Sequence, residues 1–403
     1  MKFSKFGQAS LIAAAALLVA TAFTACSPVT IDYLYVVGNR QSPGQIQTFE
    51  IDRQTGALTI VGSSVSSGGV NPVAAVAHPY GRALYVVNQG DNTLVQFAVG
   101  GTGVPSAPVV TSLTASGNSP VAMAINATGS LLYVVTKYQP GCSTAVVGAS
   151  SCNGGALAVY PISSAGVVGT AVTNGGKSYL PVGINPTAVN ALADGSGVLV
   201  SSYDPAAGLG YLYSFTATSA GALAAASGSP YPAGVRPSGI TSTQTTRYVY
   251  VTDFAQNEMI GYSILGGATL RPLLNGPFRT GNQPTAITID PRGSFLYLTN
   301  ELDNSISAYE INLQNGTPAG AINPTGSATN STGTLPVSVL VDPGFGRYVF
   351  SANFLDNSVT SFQLNPSTGT LSATQGGPFP TVGQPVAIAA IPRGNHSVQT
   401  VQP

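Results

Sequence analysis

Short apolar runs separated by Gly, Pro, Asn and Asp recur along the chain at a nearly constant spacing. The clearest copy reads NQPTAITIDPRGSFLYLTNELDNSISAYEI, from Asn282 to Ile311. An earlier copy, NPVAAVAHPYGRALYVVNQGDNTLVQFAV, runs from Asn71 to Val99, and a later one, LPVSVLVDPGFGRYVFSANFLDNSVTSFQL, from Leu335 to Leu364. All three share one grammar. An apolar run follows a Pro (Val73–Ala77, Ala286–Ile289), and a turn with Pro and Gly comes next (His78–Arg82, Asp290–Ser294). A run rich in Leu, Tyr and Val follows (Leu84–Asn88, Leu296–Asn300), then a turn carrying Asp91-Asn92, Asp303-Asn304 or Asp356-Asn357. The next run alternates polar and apolar residues, as in Thr93–Val99 and Ser305–Ile311. Period-two strands between such turn residues predict short antiparallel strands joined by hairpins. A Gly-containing loop and a weaker fourth strand finish the unit, and no helix of useful length is predicted after the N-terminal stretch.

The Pro that opens each unit counts them: Pro72, Pro120, Pro186, Pro237, Pro284, Pro336 and Pro385. Their separation is roughly the length of one four-stranded propeller blade. The widest interval, between Pro120 and Pro186, contains Cys142 and Cys152. Residues 31–38 and 45–52 match a second and third strand with no first strand before them. Residues 385–392 match a first strand with nothing after it. Together they predict an all-β, seven-bladed β-propeller of four-stranded antiparallel blades, with the first blade completed by the C-terminal strand. That closure hides two sheet edges. The domain reading is therefore 31–392 for the propeller and 393–403 for a C-terminal tail.

Composition narrows the setting. Fourteen basic and 14 acidic residues in 403 leave the net charge at zero, and only 7% of residues are charged. No basic stripe exists for nucleic acid. Lys2 and Lys5 precede an apolar stretch from Leu11 to Ala22, too short to span a bilayer comfortably and shaped like an export signal. Phe23-Thr24-Ala25-Cys26 resembles the lipobox of bacterial lipoproteins. The resemblance implies a signal over 1–25, a lipidated Cys26, a short linker to residue 30, and, from Ser27, the outer membrane. An ordinary secretory signal is the alternative. Cys142 and Cys152, close together in an exported chain, predict a disulfide.

The runs Leu84–Asn88, Arg247–Asp253 and Phe295–Glu301 resemble the YVTN-type repeat. Over about residues 31–392 the chain resembles the seven-bladed lactonase-like propellers, which include 6-phosphogluconolactonases. That resemblance implies a possible lactonase, with His and Arg on inner strands and a Glu after a second strand. Glu301 matches the Glu. The fourth and sixth inner strands, 185–190 and 283–288, carry neither His nor Arg. The two histidines, His78 and His396, fall on a turn and in the C-terminal tail.

Strand direction puts the second-strand ends and the inter-blade links on one face, here called upper. This face collects Arg40, Lys137, Asp204, Asp253 and Gln283 as candidate ligand-binding residues. Glu301 as base and Arg236 as electrostatic support are the catalytic pair if the protein is a lactonase. Asp91, Asp303 and Asp356 read more simply as turn formers. The absence of Trp argues against a sugar-stacking platform, and no metal or cofactor motif is present. Three functions stay open: a monomeric, lipid-anchored envelope protein binding a small molecule or a protein partner, a lactonase acting on a sugar lactone, and a structural display protein.

Overall fold

The computed structural model describes residues 30–274, 276–312 and 322–393, without the side chains of 322–328. The export stretch, Cys26 and His396 lie outside the described residues. Seven antiparallel sheets form seven blades around a ring. Their inner strands are Pro385–Pro392, Pro72–Ala77, Asn118–Ile125, Pro186–Ala191, Pro237–Ser242, Pro284–Ile289 and Pro336–Val341, for blades 1 to 7 in order. Each inner strand packs against the next, including blade 7 against blade 1, so the ring is closed. Blade 1 joins Thr30–Gly38 and Gln45–Asp52 to the C-terminal strand, with Tyr35 opposite Ala389.

The core lies between blades rather than within one layer. Seven apolar clusters occupy the seven interfaces. This explains why second strands read as continuous apolar runs: both faces are covered, and Ala83–Asn88 and Phe295–Asn300 are buried throughout. It also explains their repeated Tyr. The hydroxyls of Tyr35, Tyr85 and Tyr297 donate to the carbonyls of Gly103, Gly166 and Gly369 in the next blade, at 2.7, 2.7 and 2.8 Å. Those glycines have φ of 73°, 82° and 68°, which other residues adopt at a cost.

The Asp-Asn hairpins, and the Gln256-Asn257 hairpin of blade 5, also join blades. Asn92, Asn257, Asn304 and Asn357 are left-handed, and each Oδ1 accepts the N–H of the next blade's link residue. On the lower face, Asp290 and Asp342 cap their turns by accepting backbone N–H groups. His78 does the same in blade 2, where its Nδ1 accepts the Tyr80 N–H at 3.2 Å. Burial and nearby Arg82 lower its pKa, so it is a turn residue far from the upper face.

The closing seam holds one uncompensated carboxyl. Asp32 is fully buried; one oxygen accepts the Gly344 N–H at 3.3 Å and the other has no partner. Burial, then the neighbouring Asp342 carboxylate, push its pKa up to about 8. Burial pushes Asp342 up as well, but four backbone N–H groups oppose this. The proton of the pair therefore sits on Asp32. The folded state binds this proton more tightly than the unfolded chain does. Stability from this group is full below about pH 4 and is lost as pH rises to about 8, at up to about 1.4 kcal/mol per unit. Asp32→Asn is expected to flatten the fall in Tm between pH 5 and pH 9. Equal pH slopes for the two proteins in thermal unfolding would remove this assignment.

Candidate functional site at the upper mouth

The strand register defines a ring of side chains. Each inner-strand Pro pairs with one second-strand residue: Pro385 with Gly38, Pro72 with Asn88, Pro120 with Thr136, Pro186 with Ser202, Pro237 with Asp253, Pro284 with Asn300 and Pro336 with Asn353. The next residues along, Asn39, Gln89, Lys137, Tyr203, Phe254, Glu301 and Phe354, stand at the rim of the central mouth. Asn39, Gln89, Tyr203, Phe254, Glu301 and Phe354 each donate a backbone N–H to the link residue of their own blade, as Glu301 does to Gln283 and Phe254 to Arg236.

An open pocket of about 460 Å³ fills one side of this mouth. Five of the ring residues line it: Gln89, Lys137, Tyr203, Phe254 and Glu301, with Arg236 between them. Its floor carries hydroxyls that are already engaged. Thr187 meets Ser201 at 2.7 Å, while Ser238 and Thr285 donate to the next blade's Pro284 and Pro336 carbonyls at 2.6 and 3.0 Å. These bonds fix the floor. Gln89 is fixed in the same way, by a 3.1 Å bond to the Pro120 carbonyl.

The charges at the mouth are not neutralised by ion pairs. Arg292–Asp290 is the only ion pair among the described residues. The Arg236 guanidinium lies 4.3 Å from the centre of the Phe254 ring and 5.7 Å from that of Tyr203. The Lys137 ammonium lies 5.4 Å from the centre of the Tyr138 ring. Aromatic faces thus hold both cations without cancelling them. Half-buried Glu301 has its pKa raised by desolvation, and Arg236 pulls it partly back. A carboxylate with a raised pKa beside cations that are not ion-paired, in a cleft, makes this mouth the candidate functional site.

The structure redistributes the sequence candidates. Glu301, Arg236 and Lys137 meet in the pocket. Gln283 lines a smaller hollow of about 240 Å³ that shares Arg236 and Phe254 with it. Arg40 is exposed, one residue past the ring, and does not line the pocket. Asp204 is also one residue past the ring; its Oδ1 accepts the Ala206 and Ala207 N–H groups at 2.9 and 3.2 Å, an Asx turn. It faces a separate pocket. Asp253 is corrected outright. It is fully buried and accepts N–H bonds from Val235, Arg236, Ala255 and Gln256 at 2.6, 3.1, 2.9 and 3.4 Å. No ligand can reach it, and its work is to hold the link that carries Arg236. Sequence reading missed Tyr203 and Phe254, since an aromatic at a strand end reads as core; their place one residue after the Pro-paired position comes from the strand register. Cys142 and Cys152 form the predicted disulfide, with Cα atoms 5.7 Å apart.

The structure is a closed seven-bladed β-propeller with a charged, ligand-sized pocket at its upper mouth. Residues 36–390 match the family model described as lactonase, 7-bladed beta-propeller, and the chain belongs to that family. Its fold is similar to that of a periplasmic gluconolactonase from Pseudomonas aeruginosa, at 19% identity and a TM-score of 0.69, covering 90% of this chain and 99% of that one. A Bacteroides uniformis protein described as a candidate 6-phosphogluconolactonase superposes with a TM-score of 0.67 at 19% identity, covering 90% of this chain and all of the other. No curated protein matches the chain in sequence.

Proposed function

We propose that the upper mouth binds a lactone and opens it by hydrolysis. The observation that carries this reading is Glu301 facing one pocket with Arg236 and Lys137, neither cation being ion-paired. Water held by the Glu301 carboxylate gives it a proton while attacking the lactone carbonyl carbon. The carbonyl oxygen gains negative charge, which Arg236 and Lys137 stabilise. The ring C–O bond then breaks, and the leaving alkoxide takes the proton back from Glu301. The product is a hydroxy acid, which ionises and releases one proton at neutral pH. Among the described residues no His lines the mouth, which favours a second reading, in which a ligand is held but not opened.

Proton release in a pH-stat with glucono-1,5-lactone separates the two. Turnover above buffer that is lost in Glu301→Gln supports hydrolysis. Ring opening at the buffer rate leaves only the binding reading. The N-terminal lysines, the apolar stretch and Cys26 support a place in the bacterial cell envelope with a lipid anchor. Palmitate labelling of the expressed chain is expected to vanish in Cys26→Ala; undiminished labelling would reject the anchor.

A further inference from the structure

A second pocket, of about 190 Å³, opens beside the mouth between blade 4 and the disulfide-closed insertion of blade 3. Tyr203 is common to both pockets. Tyr211 and Tyr213 form its wall on blade 4, and Val147 and Asn153 approach from the insertion and the residue just after it. We propose that this pocket is a subsite for one neutral sugar ring.

Four observations carry the assignment. Tyr211 and Tyr213 are two apart on the strand Leu209–Ala217, so their rings share one face of the sheet. That gives a row against which the C–H face of a pyranose stacks, the platform that a chain without Trp otherwise lacks. The hydroxyls of Tyr203, Tyr211 and Tyr213 make no hydrogen bond within the described residues, so they are available to a ligand. Asp204 uses one carboxylate oxygen in its turn and leaves the other as an acceptor for sugar hydroxyls. The Asn153 Oδ1 accepts from Gln139 at 2.7 Å, which leaves its amide N–H groups as donors.

Size, charge and the arrangement of the rings narrow the occupant. The volume is below that of pockets for drug-sized ligands, so it takes one ring. No Lys or Arg lines it, so an anion finds no partner. Tyrosines in a row do not surround a point as the cage for a quaternary ammonium does. The disulfide closes a loop of sequence separation 10 beside this pocket, giving the insertion a ligand-binding role.

Because Tyr203 is the shared wall, a ring seated here continues into the mouth. Resting on the lactonase reading, the preferred substrate is then a lactone that carries a second sugar. Binding and turnover test the two ideas separately. Methyl β-cellobioside, which contains no lactone, is titrated calorimetrically into the oxidised full-length protein. Saturable binding is expected, weakened at least tenfold in Tyr211→Ala and largely retained in Tyr211→Phe, which keeps the ring. Circular dichroism confirms that each variant is folded. No saturable binding, binding unchanged by Tyr211→Ala, or displacement of the glycoside by tetramethylammonium would overturn the subsite. Tyr211-dependent binding without turnover of any lactone would overturn only the hydrolase reading. Turnover without such binding would overturn only the subsite.

Discussion

Glu301→Gln is expected to lower kcat/KM for lactone hydrolysis by about 10²–10⁴-fold, the range for loss of a general base, with no loss of fold. The amide fills the same space but cannot take a proton from water. The Glu301 side chain makes no hydrogen bond within the described residues; only its backbone N–H is used, at 2.9 Å to the Gln283 carbonyl. Tm should therefore stay where it is. The pH profile adds a sharper expectation. Desolvation raises the Glu301 pKa and Arg236 lowers it, so the acid limb of kcat/KM should lie above the usual Glu range. Arg236→Ala removes the lowering charge, and the limb should move to higher pH as the rate falls. A rate loss without that shift would mean that Arg236 acts only by packing on Phe254.

Asp253→Ala should be the most destabilising single change near the mouth. Its carboxylate is the acceptor for four backbone N–H groups in a fully buried position. Removing it strands those donors, at a cost on the order of 3–5 kcal/mol. Blade 6 shows why the charge matters. There Asn300 accepts the Gly281 N–H at 3.0 Å and Asp303 accepts the Asn282 N–H at 2.7 Å. Blade 5 has Gln256 in place of that turn Asp, and Asp253 moves the carboxylate one turn back to serve Val235 and Arg236 directly. Asp253→Asn should fall between wild type and Asp253→Ala, because the new NH₂ faces a donor. Urea unfolding measures the series. An Asp253→Ala midpoint equal to wild type would show that the link needs no such anchor.

The blade repeat made the ring legible because it is dictated by period-two burial and by turn chemistry. The split first blade was legible for the same reason: residues 31–38 and 385–392 each matched half a unit. The site was legible only in part. Glu301, Arg236 and Lys137 stood out as charges in a chain that has few. The same habit selected Arg40, Asp204 and Asp253, each one residue off the ring, and side chains alternate direction along a strand. Only the pairing of each Pro with its second-strand partner sets that frame, and pairing is a tertiary fact. Tyr203, Phe254 and the Tyr211–Tyr213 row were hidden because strand aromatics look alike whether they pack or face a pocket. The Cys142–Cys152 insertion breaks the repeat, so nothing in its sequence placed it beside blade 4.

On the proposed reading, the upper mouth is where a lactone is held and opened. A crystal structure with gluconolactam, which keeps the ring carbonyl but resists hydrolysis, tests it most directly. The ring is expected in the pocket lined by Glu301, Arg236 and Lys137, with its carbonyl oxygen toward the cations and a water between its carbon and Glu301. The analogue bound on the lower face, or a mouth left empty at saturating analogue, would contradict it.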